Sequence, residues 1–509
     1  AAGEFCYIFV EDSVWQNGRV THTGVVKLKR AFDESTPRDF SRGIYELETA
    51  NLGPPPDEID LDPKIYILVL DIPDDYAGGV GTYVAGYFEP VNQKRGVLRD
   101  PNTGMKLHSN EVEMVYIDAD PLEVGSVTSM EVLAHEFQHL IHWHHDPNEV
   151  IWINEGCSDY AALLLCGYGS ADNWHVEAFV REPQTSLVYW PNGIRSSLAH
   201  YGAAYLWMLY LQEHYGGVST ISSLIAHPAN GISGISAVLS AHGYSQDFED
   251  VFADWKIANF LDDTAFASGK YGYRELDLKV KRGGRHSSFP ISNVSRYVES
   301  WAADYVEFTG GDRVSDLQID FAGRNPAYDF DVKVITMKDG EPVAVESVQI
   351  PPGTGSGHIS VPEFGYNVDT VVLVPNWQPR MEADFDQIIS YSYSAKLGEE
   401  IGFDVAVLPN AVNERYMDIL VQFSEDIGAG IPRITVTRLG KTLISEQSMV
   451  PVSSFREGAG ADGDTPLPEP KSAYVYQLYV PHGLDGSEIK WDISYLGRSL
   501  AGGDLDSGI

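Results

Sequence analysis

Residues 135–165 read HEFQHLIHWHHDPNEVIWINEGCSDYAALLL, with five histidines in the first eleven positions. Their spacing decides how this segment folds and what it can bind. Leu133, Phe137, Leu140 and Ile141 recur at helical spacing and Pro147 ends the run, so an amphipathic helix is predicted from about Ser126. On that helix His135 and His139 stand four residues apart on one face, opposite the apolar stripe. Two imidazoles so placed can grip one Zn²⁺ through ring nitrogens. Glu136, the next residue, brings a carboxylate to the open side of such a metal, where it can take a proton from water.

A catalytic zinc needs a third protein ligand and an open position. Two residues compete for the role. Glu155 lies sixteen residues beyond His139. If a second helix begins near Asn154, Glu155 and Asp159 are i and i+4. Glu155 can then bind the metal, while Asp159 accepts the spare N–H of a ligand histidine. The rival is His145, ten residues after His135, where metzincins place their third histidine. Metzincins carry a glycine at the position of His142, and a non-glycine residue takes the required positive-φ exit poorly. No separate Met-turn is visible, so Glu155 is the preferred ligand. His142 is expected at a polar, solvent-facing helix end, with a place behind the ligands as its other reading.

HEFQH followed by NEGCSDYA resembles the gluzincins, the thermolysin-like clan whose zinc is held by two histidines and a glutamate. Within that clan, the segments IYILVLDI, VAGYF, SNEVEMVYID, LAHEFQHLIHW and AHYGAAYLWMLYL resemble the hyicolysin family of secreted bacterial metallopeptidases, over about residues 60–215. The resemblance implies His135, His139 and Glu155 as ligands, Glu136 as general base and Asp159 as the aspartate behind a ligand histidine. The interval from second histidine to glutamate is shorter than in thermolysin or aminopeptidase N. Gluzincin peptidases usually set a Tyr or His against the oxyanion. In RSSLAHYGAAYLW, Tyr201 is the first choice and His200 the second, against the plainer reading that these aromatics pack the helix. The strand EVEMVYID precedes the zinc helix and is expected to be the edge strand that pairs with an extended substrate. No GxMEN-type segment is found there, which favours an endopeptidase over an aminopeptidase.

The rest of the chain sets bounds. At 509 residues several domains are expected, and 43% hydrophobic residues can fill their cores. Against 35 Lys and Arg stand 73 Asp and Glu, a net charge of −38. That argues against nucleic acid or an anionic membrane as partner and suits a secreted protein. Structural Ca²⁺ is a further possibility at DEIDLDP (57–63) and GADGDTP (460–466), although neither has EF-hand spacing. The cysteines Cys6, Cys157 and Cys166 form no disulfide framework and are read as buried thiols. No apolar run reaches 18 residues, so membrane insertion is not expected. The start at Ala1 is read as a mature or trimmed form.

Up to about residue 125 the pattern reads as strand and loop, with KIYILVLDI (64–72) a buried strand and 111–120 a half-exposed one. Helices are predicted from about 126 to 260. After KVKRGGRHSS (279–288), alternating segments such as DVKVITM, TVVLVPN, MDILVQF and RITVTRL, spaced by turn residues, read as antiparallel sandwiches. The fold class expected is multidomain α+β: a zincin-like domain over 1–285, with a mixed sheet and a helical subdomain, then β-sandwich domains over 286–398 and 399–509. Trp301, Trp377 and Trp491 are read as core rather than as a ligand face. Segment 454–472 reads as a flexible loop. The function expected is a secreted zinc endopeptidase acting on protein or peptide. A zinc aminopeptidase and an inactive zinc-bearing adhesion protein are the alternatives, and oligomeric state is not legible.

Overall fold

The computed structural model describes residues 1–76, 81, 83–100, 103–169, 173–191, 194–311, 315–398, 403–410, 412–413, 415–423, 431–452, 473–480, 488–495 and 498–505. The loop expected over 454–472 lies outside them, and with it the whole of GADGDTP (460–466). The chain divides into two compact units. The first is Ala1–Lys281 with the short returns Tyr297–Asp304 and Pro375–Ile389, and the second holds the remainder.

In the first unit the strands are β1 (Cys6–Val10), β2 (Ile65–Leu70), β3 (Gly86–Phe88), β4 (Val97–Arg99), β5 (Lys106–His108) and β6 (Met114–Asp118). The helices are α1 (Asp12–Gln16), α2 (His22–Asp33), α3 (Ile44–Leu52), α4 (Val127–His145), α5 (Ile151–Asp159), α6 (Trp174–Arg181), α7 (Ile194–His214), α8 (Val218–Ile225), α9 (Gly231–Ala241) and α10 (Phe248–Leu261). Three of these helices fall where strand and loop were expected. In α2 the apolar Val25, Leu28 and Phe32 keep helical spacing, and the Thr21 hydroxyl accepts from the Gly24 amide to cap the first turn.

The sheet runs β1-β2-β6-β3, with β1, β2 and β6 parallel and β3 antiparallel to β6. Two expectations about β6 are overturned here. All five of its residues are buried, and it lies between β2 and β3, so it is not an edge. A strand flanked on both sides and covered by a helix has no wet face, which is why its weak alternation misled. The edge is β3. Its Gly86 is needed there, since a Cβ at that position would fall 2.6 Å from Val132 Cγ1 and 3.1 Å from Glu136 Cγ. The missing side chain lets the strand approach α4.

Helix α4 is capped by the Ser126 side chain, which accepts from the Ser129 amide. Its apolar residues Leu133, Phe137, Leu140 and Ile141 are fully buried. Helix α5 runs on into one π-helical stretch, Tyr160–Leu165, whose wider turn shifts the register just after Asp159. Trp207, Phe248, Phe252 and Trp255 stack in the core of the helical part, with Trp301 of the first return against them. Cys6, Cys157 and Cys166 are buried free thiols, as expected.

The second unit is mainly sheet. One four-stranded sheet orders Ser356–Val361, Leu317–Gly323, Ile388–Leu397 and Ile291–Glu299. A five-stranded sheet orders Glu341–Ser347, Phe330–Lys338, Thr370–Trp377, Val306–Phe308 and Gly284–His286. Farther along, Phe403–Pro409, Tyr416–Phe423, Ala473–Tyr479 and Val450–Pro451 form one sheet, and Lys441–Ser448, Arg433–Arg438, Ile489–Tyr495 and Arg498–Asp504 another. Alternate residues of these last two sheets, among them Ile419, Val421, Ile434, Val436 and Ile493, fill one shared core. Trp377 and Trp491 are buried, as their reading as core requires. The protein is thus mixed helix and sheet with several antiparallel sheets.

Candidate metal centre

Helices α4 and α5 bring His135, His139 and Glu155 together. The His135 Nε2 lies 3.1 Å from His139 Nε2 and 3.1 Å from Glu155 Oε2. His139 Nε2 lies 3.5 Å from the same carboxylate oxygen. Their candidate ligand atoms all fall within 4.8 Å of one another, and no other such trio of His, Cys, Asp or Glu occurs among the described residues. No calcium-type cluster of that kind forms at 57–63, where Asp60 and Asp62 accept the amides of Asp62 and Lys64.

The opposite ring nitrogens are already engaged. His135 Nδ1 donates to Asp159 Oδ1 at 3.0 Å, and His139 Nδ1 to Asn154 Oδ1 at 2.8 Å. With Nδ1 so engaged, both Nε2 atoms face each other and a carboxylate. Burial opposes a positive charge on His135, but Asp159 and Glu155 outweigh it and raise its pKa, so the cluster favours a cation among its donors, and two imidazole nitrogens with a carboxylate fit a divalent metal in that place. Burial opposes the charge on Glu155, but His139 and His135 outweigh it and hold its carboxyl well below the usual range.

Glu136 is buried beside the trio. Burial pushes its carboxyl up; His139 and His135 oppose this, Glu155 adds to it, and the Phe88 amide on β3 leans toward the carboxylate. The structure separates the two oxyanion candidates. Tyr201 on α7 meets Glu155 with its hydroxyl, and its ring centroid lies 6.3 Å from that of His135. Burial, then the carboxylates of Glu155, Asp159 and Glu136, keep that phenol protonated. His200 is turned away, its Nδ1 donating to the Ser186 carbonyl at 2.9 Å. His145 is also outside the cluster, with its Nε2 3.1 Å from the Pro54 carbonyl.

Two groups behind the trio escaped the sequence reading. His175 on α6 donates through Nδ1 to Asp159 Oδ2 at 2.8 Å and stacks on Tyr201 at 4.5 Å, so it holds both. Ser158 bridges the Gln138 side chain and His139 Nδ1. Gln138 in turn meets His142 Nδ1 at 3.4 Å. His142 is therefore a correction: it is fully buried, not a solvent-facing end residue, because α5 covers the helix face it shares with the ligands.

Burial, with the nearby His139 and His145, depresses the His142 pKa from 6.5 to about 3. The unfolded chain takes up this proton below pH 6.5 and the folded chain does not until about pH 3, so folding is disfavoured progressively across that window. The stability contribution of neutral His142 is complete above pH 6.5, and about 2 kcal/mol of it is lost by pH 5. Urea unfolding in EDTA at pH 7.5 and pH 5 should show this loss in the wild type and about 2 kcal/mol less of it in His142→Gln. Equal losses in both proteins would remove His142 as the cause.

Among the described residues no helix is long and apolar enough to cross a membrane. The chain is similar to the neutral metalloprotease ShpI of Staphylococcus hyicus, with 26% identity over 221 residues, 40% of this chain and 47% of that protein. It thus spans about half the length of that relative. No family model matches the chain. Among solved structures, an Amycolatopsis orientalis exo-chitosanase aligns at a TM-score of 0.13 and 14% identity over 40% of this chain and 24% of its own. A Chromobacterium violaceum lectin aligns at 0.08 and 16% over 24% and 83%. At those scores neither bears on fold or activity. This chain thus combines a distant sequence relationship to a metalloprotease with a half-buried His, His, Glu trio that could hold a metal.

Proposed function

We propose that this chain is a secreted zinc-dependent endopeptidase of the gluzincin type, similar to the hyicolysin family. In this reading residues 1–285 form a zincin-like domain, and 286–398 and 399–509 form two β-sandwich domains. The observation that carries it is the convergence of His135 Nε2, His139 Nε2 and Glu155 Oε2 with the Glu136 carboxylate beside them.

His135, His139 and Glu155 hold the zinc, and Asp159 and Asn154 fix the two imidazoles through Nδ1. Bound zinc supplies Lewis acidity, polarising a peptide carbonyl and acidifying water. The Glu136 carboxylate accepts the proton of the attacking water and passes it to the leaving amine nitrogen. The Tyr201 hydroxyl, kept protonated, donates to the oxygen that gains charge as the carbonyl carbon becomes tetrahedral. The outer edge of β3, which pairs with no further strand among the described residues, lines up an extended peptide by backbone hydrogen bonds, next to the helix that carries Glu136.

The test is casein hydrolysis at neutral pH. Full activity in the zinc-loaded protein, loss after treatment with 1,10-phenanthroline and recovery on adding Zn²⁺ are expected. A zinc-loaded protein that cleaves neither casein nor any peptide, N-blocked or free, would instead be a zinc-bearing binding protein. Cleavage of unblocked peptides alone would make it an aminopeptidase.

A further inference from the structure

The proposed reaction gives no part to His175, yet two features of the chain bring it to the site. Asn173 caps α6 by accepting the Val176 amide, which sets His175 in the first turn of that helix. Helix α7 then carries a glycine, Gly202, directly after Tyr201 and well inside its 21 residues. Glycine weakens a helix interior, so its presence there calls for a reason. A Cβ on Gly202 would fall 2.2 Å from the His175 carbonyl oxygen and 2.9 Å from Phe179 Cβ. The missing side chain lets the start of α6 lie directly on the turn of α7 that holds Tyr201.

The imidazole of His175 makes two contacts from different parts of its ring. Its Nδ1 donates to Asp159 Oδ2 at 2.8 Å, while Asp159 Oδ1 accepts from the ligand His135 at 3.0 Å. Both oxygens of this buried carboxylate are thus bound by imidazoles. Burial opposes the charge on Asp159, but His175 and His135 outweigh it and hold its carboxyl below the usual range. Without the His175 donor, Oδ2 would be buried and unpaired, and Asp159 would grip His135 less firmly. The plane of the same ring lies on Tyr201, with centroids 4.5 Å apart and planes 13° from parallel. Trp190 meets Tyr201 edge-on at 4.8 Å and 77°. The phenol that turns its hydroxyl to Glu155 is therefore held on its face by His175 and steadied by Trp190.

We infer that His175 is a positioning residue with two separable duties: its Nδ1 bond to Asp159 keeps His135 set for the metal, and its ring keeps the Tyr201 hydroxyl aimed at the developing oxyanion. The second duty rests on the peptidase reading above, whereas the first needs only that the trio holds zinc. Because a nitrogen serves one duty and the ring plane the other, side chains exist that keep either alone.

The test reads zinc affinity by chelator competition, and kcat and KM for casein at saturating zinc, in the full chain. His175→Phe keeps a ring against Tyr201 and loses the donor. Its zinc affinity should fall by about 10- to 100-fold, and its loss in kcat should be the smaller of the two variants. His175→Asn keeps an N–H at the place of Nδ1 and loses the ring. Its zinc affinity should stay within about threefold of the wild type, while kcat falls about tenfold at an unchanged KM. In Tyr201→Phe, which already lacks the hydroxyl, adding His175→Asn should lower kcat no further. Equal zinc affinities in His175→Phe and His175→Asn overturn the first duty. A further tenfold loss on adding His175→Asn to Tyr201→Phe overturns the second. A histidine that only filled space would shift the urea midpoint of both variants and leave zinc affinity and kcat at wild-type values, which overturns both. No cleavage by the zinc-loaded wild type sinks the peptidase reading and the second duty with it, while the zinc affinities still decide the first.

Discussion

Glu136→Gln is expected to lower kcat for casein hydrolysis by about 10³-fold while the zinc content stays at the wild-type level. Glutamine keeps the length and planarity of the side chain, which matters where space is scarce. The Glu136 Cγ lies where a Cβ on Gly86 would press at 3.1 Å, so β3 and α4 leave no slack for a differently shaped group. The Phe88 amide that leans toward the carboxylate finds an amide oxygen in its place. What glutamine lacks is a basic oxygen. It can neither remove a proton from water nor return one to the departing amine. The loss should fall on kcat rather than KM, because β3 and the ligand trio, which position the peptide, are untouched. Initial rates measured beside metal analysis of the same preparations decide it. A variant with full zinc and near wild-type turnover would remove Glu136 from the chemistry.

The parts of this site that were legible in the sequence are those within one helix or between two helices joined by a short turn. His135, Glu136 and His139 share α4, where apolar spacing fixes which way each side chain points. Glu155 and Asp159 share α5, one turn apart, and five residues from Asp146 to Val150 separate the two helices. His175 could not be read in the same way. Nothing in WHVEAFVR relates it to Asp159, and only the packing of α6 and α7 brings it there. The edge strand was missed for a related reason. Three residues, Gly86 to Phe88, are too few to show a period, and β6, which does show one, is shielded by the strand it seemed to replace. His142 had a usable signal, since it lies on the ligand face one turn beyond His139. Its polarity argued for solvent, and the cover provided by α5 decided otherwise.

The choice of third ligand gives the other large effect. Glu155→Ala should lose zinc during dialysis against micromolar chelator, and with it all casein hydrolysis, whereas His145→Ala should keep both. In the structure Glu155 Oε2 stands within 3.5 Å of both imidazole Nε2 atoms, while His145 turns its own Nε2 to the Pro54 carbonyl. Removing Glu155 takes away the only negative charge among the three ligands and leaves two neutral nitrogens to hold a dication. Removing His145 costs one hydrogen bond of a half-buried side chain near the end of α4. Glu155→Gln is the finer probe. Its amide oxygen occupies the same place without the charge, so it separates shape from electrostatics. Zinc affinity between those of wild type and Glu155→Ala is expected, since a neutral oxygen is a weaker donor to a dication than a carboxylate. If His145→Ala, and not Glu155→Ala, proved to be the protein that released zinc, α4 would have to unwind past His142 to swing His145 inward. The helix shown here, continuous through His145 with Asp146 closing back on the His142 carbonyl, would then not be the metal-loaded form.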